Sequence, residues 1–262
     1  MSAQESLVSR VTEEGITTLT LNHPQRRNSL SMAMLEALSV ELDAIAGDAS
    51  TRVVILAAQG PTFCAGHDLG EIREQFDNPD FQLALFNQCS KVMQQIVSLP
   101  KPVIARVVGV ATAAGCQLVA SCDLAVAADT ARFATPGVNI GLFCSTPMVA
   151  LSRNVSRKHA MEMLLTGEMI SAARAEDIGL VNRAVDEQVL DDTVHKMART
   201  IADKSGHTLK IGKEAFYRQL EMPLAEAYAY TATVMADNMQ AHDAQEGICA
   251  FLDKRKPDWK DH

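Results

Sequence analysis

Positive charge is in short supply in this 262-residue chain: 24 Lys and Arg stand against 32 Asp and Glu, for a formal charge of −8. Nucleic acid is thereby excluded as a main partner, because phosphate binding rests on concentrated positive charge. A local anion site for a phosphate-bearing small molecule stays open. Glycine (14) and proline (9) are sparse and apolar residues make up 47%, which excludes a disordered or collagen-like chain. The six cysteines form no C-x-x-C and no zinc-like spacing with the seven histidines, so no metal site is expected. Five of them sit among apolar or small residues, as reduced core thiols do. The uncharged run Val107 to Cys122 falls short of the ~20 residues of a membrane helix and holds two glycines. Met1 to Gly15 carries Glu5, Glu13 and Glu14 and lacks the pattern of a secretory or transit peptide. A cytoplasmic protein without a membrane partner is the expectation.

What is present is an alternation of strand and helix signals. Ile16–Leu21, Arg52–Ala57, Val103–Val108 and Leu124–Ala127 are β-branched or continuously apolar. Met32–Ile45 and Leu83–Val97 between them carry apolar residues at helical spacing. That order predicts an α/β class with buried strands. From Arg157 helical patterns dominate: Lys158–Leu165, Ala172–Ile178, Asp191–Ala202 and Leu224–Asn238. The division expected is a core over 1–200 and a helical segment over 201–262, with Lys204-Ser205-Gly206 as linker. The charged tail Asp253–His262 reads as a solvated helix end, with Phe251 and Trp259 as anchors able to dock on a neighbour.

Two small-residue loops each follow a strand. Gly60-Pro61-Thr62-Phe63-Cys64-Ala65-Gly66-His67-Asp68-Leu69 follows RVVILA, and Gly109 to Gln117 (GVATAAGCQ) follows VIARVV. Such turns let a ligand approach backbone N–H groups and form anion or oxyanion sites, above all at a helix N-terminus. Either loop alone reads more simply as tight packing.

Taken together, and with LNHPQRRNSLS, FATPGVNIGL, AMEMLLTGEMISAARAEDIGLVNRAV and FLDKRKPDW, they make the chain resemble the crotonase superfamily, the enoyl-CoA hydratase/isomerase family. The phrasing is most similar to the enoyl-CoA hydratase domain-containing protein 3 subgroup. The resemblance implies a crotonase (ClpP/crotonase-like) fold, a repeated ββα spiral core with a helical C-terminal oligomerisation segment, and a homotrimer or dimer of trimers. It implies a coenzyme A thioester as substrate or ligand, its carbonyl polarised by the backbone N–H groups of His67 and Ala114. Ala114 stands where relatives usually have Gly. Arg26, Arg27, Ala65, His67, Asp68 and Leu69 fall at the CoA-contacting turns, and Phe251 and Lys254 match groups that reach the nucleotide from a neighbouring subunit.

The family's hydratases use two glutamates, and here those positions hold Gln117 and Gly137. Neither supplies a group that titrates near neutral pH. Gly137 leaves room for water or a small anion, as in dihydroxynaphthoyl-CoA synthases, and the nearest titratable candidates are His67 and Cys144. Cys144 reads more simply as a small core residue. Two functions follow: an acyl-CoA enzyme of the lyase or isomerase class whose reaction is not efficient hydration, or a non-catalytic acyl-CoA binding or regulatory protein. RNA binding, known among crotonase relatives, is disfavoured by the acidic balance.

Overall fold

A computed structural model describes residues 6–262. The first five residues of the N-terminal stretch read above, Glu5 included, lie outside it. A hairpin of β1 (Val8–Glu13) and β2 (Ile16–Leu21) opens the chain, followed by α1 (Met32–Ala46). Ser31 caps α1 by accepting the Met34 N–H at 3.2 Å. Leu35, Leu38, Leu42 and Ile45 form its buried stripe, each burial stabilising by about 1.5–3 kcal/mol.

Three ββα units come next. The first is β3 (Val53–Ala58) and β4 (Thr62–Cys64), then α2 (Leu69–Glu74) and α3 (Pro79–Ser98). The second is β5 (Val103–Val107), β6 (Val110–Thr112) and α4 (Ala114–Ser121). The third is β7 (Leu124–Ala128) and β8 (Arg132–Ala134), a 3₁₀ turn over Pro136–Ile140, then α5 (Pro147–Asn154) and α6 (Arg157–Thr166). In each unit the first strand joins a six-stranded sheet of order β1-β2-β3-β5-β7-β10. The second joins a four-stranded sheet of order β4-β6-β8-β9. The remaining strands are β9 (Ile170–Ser171) and β10 (Arg183–Val185), separated by α7 (Ala172–Asp177). Beyond them run α8 (Glu187–Ala202), α9 (Gly206–Gln219), α10 (Leu224–Asn238) and α11 (His242–Leu252).

The apolar run of β3 is explained by burial on both faces. Val54 and Leu56 join the core formed with α1, α3 and α4. Val53 and Ile55 point the other way, onto Leu190, Val194 and Ala198 of α8. Of the cysteines, Cys64, Cys89, Cys116, Cys122 and Cys144 are buried and Cys249 is exposed, all as free thiols. No helix among the described residues is long and apolar enough to cross a membrane, and no cluster of three metal-ligating side chains occurs among them.

Two segments of the C-terminal third are tied into the fold. Lys204-Ser205-Gly206 lies where α8 passes into α9, and Ser205 is buried and caps α9, accepting the Thr208 N–H at 3.2 Å. The tail also docks on its own chain. Trp259 donates its indole N–H to the Asp203 carbonyl at 2.9 Å, and Asp261 pairs with Arg52 at 2.6 Å.

Candidate active site

The turn between β2 and α1 is zipped onto the loop after β4. The Ala65 N–H donates to the Arg27 carbonyl at 3.1 Å, and the Leu30 N–H to the Gly66 carbonyl at 2.8 Å. Asn28 organises that turn from within. It is fully buried at φ +50°, accepts the His23 N–H on Oδ1, and donates through Nδ2 to the Gln59 and Thr62 carbonyls. No motif marks Asn28 in the sequence, although asparagine in a turn is the residue type that tolerates positive φ and bonds nearby backbone.

The second loop is pressed onto the first. A methyl at Gly66 would lie 2.9 Å from the Ala113 methyl and 3.4 Å from the Ala114 nitrogen, and one at Gly115 would meet the Cys64 carbonyl at 2.1 Å. Only glycine permits this approach, and Gly66 also has φ +93°. His67 and Ala114 are thereby brought to adjoining turns. Neither backbone N–H has an acceptor among the described residues. Ala114 is the first residue of α4, so its N–H is one of the helix's orphan donors and sits at the positive end of the dipole. Ala114 itself has an ordinary negative φ. Strain falls one residue earlier: Ala113 holds φ +50°, ψ −118°, a conformation that glycine adopts freely and alanine does not.

The His67 imidazole is a neutral group at neutral pH, because burial holds its pKa below the ordinary value while the Leu30 carbonyl pulls weakly the other way. Nδ1 is 3.2 Å from that carbonyl and therefore carries the proton. Nε2 keeps its lone pair, buried without a partner, and the ring meets Phe86 edge to face at 5.2 Å. Gln117, 4% exposed, has its Oε1 unpartnered as well.

Gly137 is closely packed. A Cβ there would stand 2.6 Å from the Leu142 carbonyl oxygen and 2.9 Å from Cys144 Sγ. The position a Cβ would take is occupied by this chain's own backbone and thiol. Cys144 is buried, which raises its pKa, so it faces the site as a neutral thiol.

Arg26 is held in place by an ion pair, with more than half of its side chain left exposed. Its guanidinium grips Asp68, with Nη2 at 2.7 and 2.9 Å and Nε at 3.2 Å. Asp68 in turn caps α2 through the Gly70 and Glu71 N–H groups. Burial alone would raise the Asp68 pKa, but Arg26 and those two N–H groups hold it below the usual carboxylate range. Arg27 is exposed and makes no ion pair among the described residues, Ala65 is half-buried, and Leu69 is 55% exposed. Phe251 and Lys254 are not brought to these turns within the chain. Phe251 is 82% exposed on α11 and lines a groove of about 510 Å³ with Ile248, Leu252 and Trp259, and Lys254 lies just beyond that helix.

The enoyl-CoA hydratase/isomerase family model matches residues 11–262. The chain belongs to the enoyl-CoA hydratase/isomerase family. Within that family it falls with enoyl-CoA hydratase domain-containing protein 3. It is 50% identical to the human protein of that name over 246 residues, covering 94% of this chain and 81% of that one. Identity to the Xenopus laevis protein is 49% over 247 residues, covering 94% and 84%. An enoyl-CoA hydratase crystal structure from Mycobacterium smegmatis superposes with a TM-score of 0.95 at 54% identity, covering 97% of this chain and 99% of that one. The ββα units are thus those of the crotonase fold. These relatives also overturn the expected cytoplasmic location, since the human and Xenopus laevis proteins are both named mitochondrial.

Proposed function

We propose that this member of the enoyl-CoA hydratase/isomerase family binds coenzyme A thioesters and polarises the thioester carbonyl between the N–H groups of His67 and Ala114. The observation that carries this reading is the pair of acceptor-free N–H groups on two turns locked face to face. Donors fixed in advance cost no reorganisation when negative charge develops on the oxygen, and each is worth roughly 2.7–4 kcal/mol to an enolate-like state. Water addition needs more: a base to activate water and an acid to protonate the α-carbon, each contributing about 10²–10⁴-fold. Gln117 supplies no such group, and Gly137 faces a carbonyl and a thiol. Efficient hydration is therefore not the activity. Binding without turnover is favoured as the second reading by the same filled position.

Arg27, exposed and without an ion pair among the described residues, and the exposed edge of Arg26 offer positive charge at the first turn. Leu224, Tyr228 and Met235 on α10 are 74, 71 and 60% exposed, an apolar face that supports a homo-oligomer, since symmetric closure is the usual way such a face is covered. Phe251 and Lys254 would then serve a neighbouring subunit's ligand.

Calorimetric titration with acetyl-, butyryl- and crotonyl-CoA, on a sample sized by light scattering, tests this reading. Saturable binding by an oligomer, with crotonyl-CoA hydrated far below ordinary enzyme rates, is expected. An absence of heat with all three thioesters refutes it. Hydration at ordinary turnover would show that Gln117 and Gly137 do not disable the reaction.

A further inference from the structure

Two histidine rings meet at the start of α11. His242 is the first residue of that helix, and the tail folds back along it until His262 lies alongside. Backbone bonds hold the tail there. The Asp243 carboxylate accepts the Lys260 and Asp261 N–H groups, and the Asp243 N–H donates to the His262 carbonyl at 3.1 Å. The ring centres stand 5.1 Å apart, with 30° between their planes. Each Nδ1 faces an oxygen that only accepts: Asp243 Oδ1 at 3.3 Å for His242, and the Lys260 carbonyl at 3.0 Å for His262. Both Nδ1 atoms therefore carry the proton, and both Nε2 atoms keep a lone pair. The two residues are far apart in the sequence, so no ligand spacing marks them and only the path of the tail brings them together.

We propose that His242 and His262 bind a divalent transition metal of the zinc class through their Nε2 atoms, a site that clasps the tail onto α11. Tetrahedral zinc ~2.0–2.1 Å from each nitrogen sets two imidazole centres about 5.2 Å apart, which is the separation already present. An imidazole that ligates a metal ordinarily gives its other N–H to a carboxylate or a backbone carbonyl, which fixes the tautomer and aims the ring. Here one histidine has the first kind of partner and the other has the second. The approach is open to the metal and to the waters that complete its coordination, because the His242 side chain is 48% exposed and His262 is exposed. Imidazole selects Zn²⁺, Cu²⁺ or Ni²⁺, whereas Mg²⁺ and Ca²⁺ take oxygen ligands. The consequence is mechanical. Asp261 ties the same tail to Arg52 ahead of β3, so a metal at its end tightens the hold of α11 on the core.

The test uses the full chain without an affinity tag. Calorimetric titration with ZnCl₂ should show one saturable site per chain, and MgCl₂ should give none. His242→Ala and His262→Ala should each weaken Zn²⁺ binding by about tenfold or more. Both side chains are exposed, so each variant should fold with the parent's thermal midpoint when metal is absent. Added Zn²⁺ should raise the midpoint of the parent and of neither variant, because a ligand held only by the folded chain stabilises it. An absence of saturable Zn²⁺ heat overturns the proposal. So does binding that survives in the double variant, which would place the metal on other residues. Loss in only one of the single variants also overturns it, since the site would then rest on one ligand.

Discussion

Adding a single methyl at Gly137 separates a filled site from an open one. Gly137 does not have positive φ, so alanine can adopt its backbone conformation, and restricting the unfolded chain would by itself stabilise by about 0.4–1 kcal/mol. Against that stands overpacking. The new carbon would lie 2.6 Å from the Leu142 carbonyl oxygen, well inside van der Waals contact, and 2.9 Å from Cys144 Sγ. The Leu142 N–H is bonded to the Gly137 carbonyl at 2.9 Å, so the two segments cannot part without losing that bond. Forced backbone shifts of this kind cost about 1–3 kcal/mol. Gly137→Ala should therefore be less stable by roughly 1–2 kcal/mol, the difference between those opposing effects. Denaturant titration should show a lower midpoint with an unchanged slope. Gly137→Glu should be worse, and combined with Gln117→Glu it should not recover crotonyl-CoA hydration, because the new side chain must first displace the Leu142 carbonyl and the Cys144 thiol. An alanine variant as stable as the parent, or a double glutamate variant that gains a hundredfold in hydration, would refute this reasoning.

Ala113→Gly should stabilise the protein. Relief of about 1–3 kcal/mol of backbone strain outweighs the roughly 0.4–1 kcal/mol entropic cost of glycine, and thermal unfolding should show a midpoint raised by a few degrees. Acid should release the tail through Asp243, which accepts the Lys260 and Asp261 N–H groups at 2.7 and 2.9 Å. Burial pushes its pKa up, but bonds from Ser205, those two N–H groups and His242 hold it at about 2. A folded pKa below the unfolded ~3.9 stabilises above that value and is lost as pH falls toward 2. Emission from Trp259, the only tryptophan, should shift between pH 4 and 2, and Asp243→Asn should remove that step.

Much of the scaffold is legible in the sequence, for a physical reason. β2, β3 and β5 are buried and rich in β-branched residues, β7 is buried and wholly apolar, and α1 and α3 carry long apolar stripes, so their patterns are strong. β4, β6 and β8 have three residues each, too few to establish a period, and they vanish into what read as loops. Their presence matters, since β6 delivers Ala113 and β8 ends at Ala134, whose carbonyl accepts the Ala113 N–H at 2.9 Å. Ser205 read as linker because its neighbours are small and polar. Its burial depends on a tail some fifty residues onward, a contact no local pattern encodes. His67, Ala114, Gln117 and Gly137 were identified as site positions by resemblance, and the structure brings His67 to the turn that starts α4. That Gly137 is blocked, and that strain sits at Ala113, depend on contacts across three loops.

Polarisation of the thioester carbonyl by two backbone N–H groups, without help from a carboxylate, is a proposal that spectroscopy can test. Isotope-edited infrared spectroscopy of butyryl-CoA labelled with ¹³C at that carbonyl, measured free and bound, reads this polarisation directly. Donation from His67 and Ala114 predicts a bound carbonyl band moved to lower frequency than in water. A bound band at the free position, or above it, would contradict the claim.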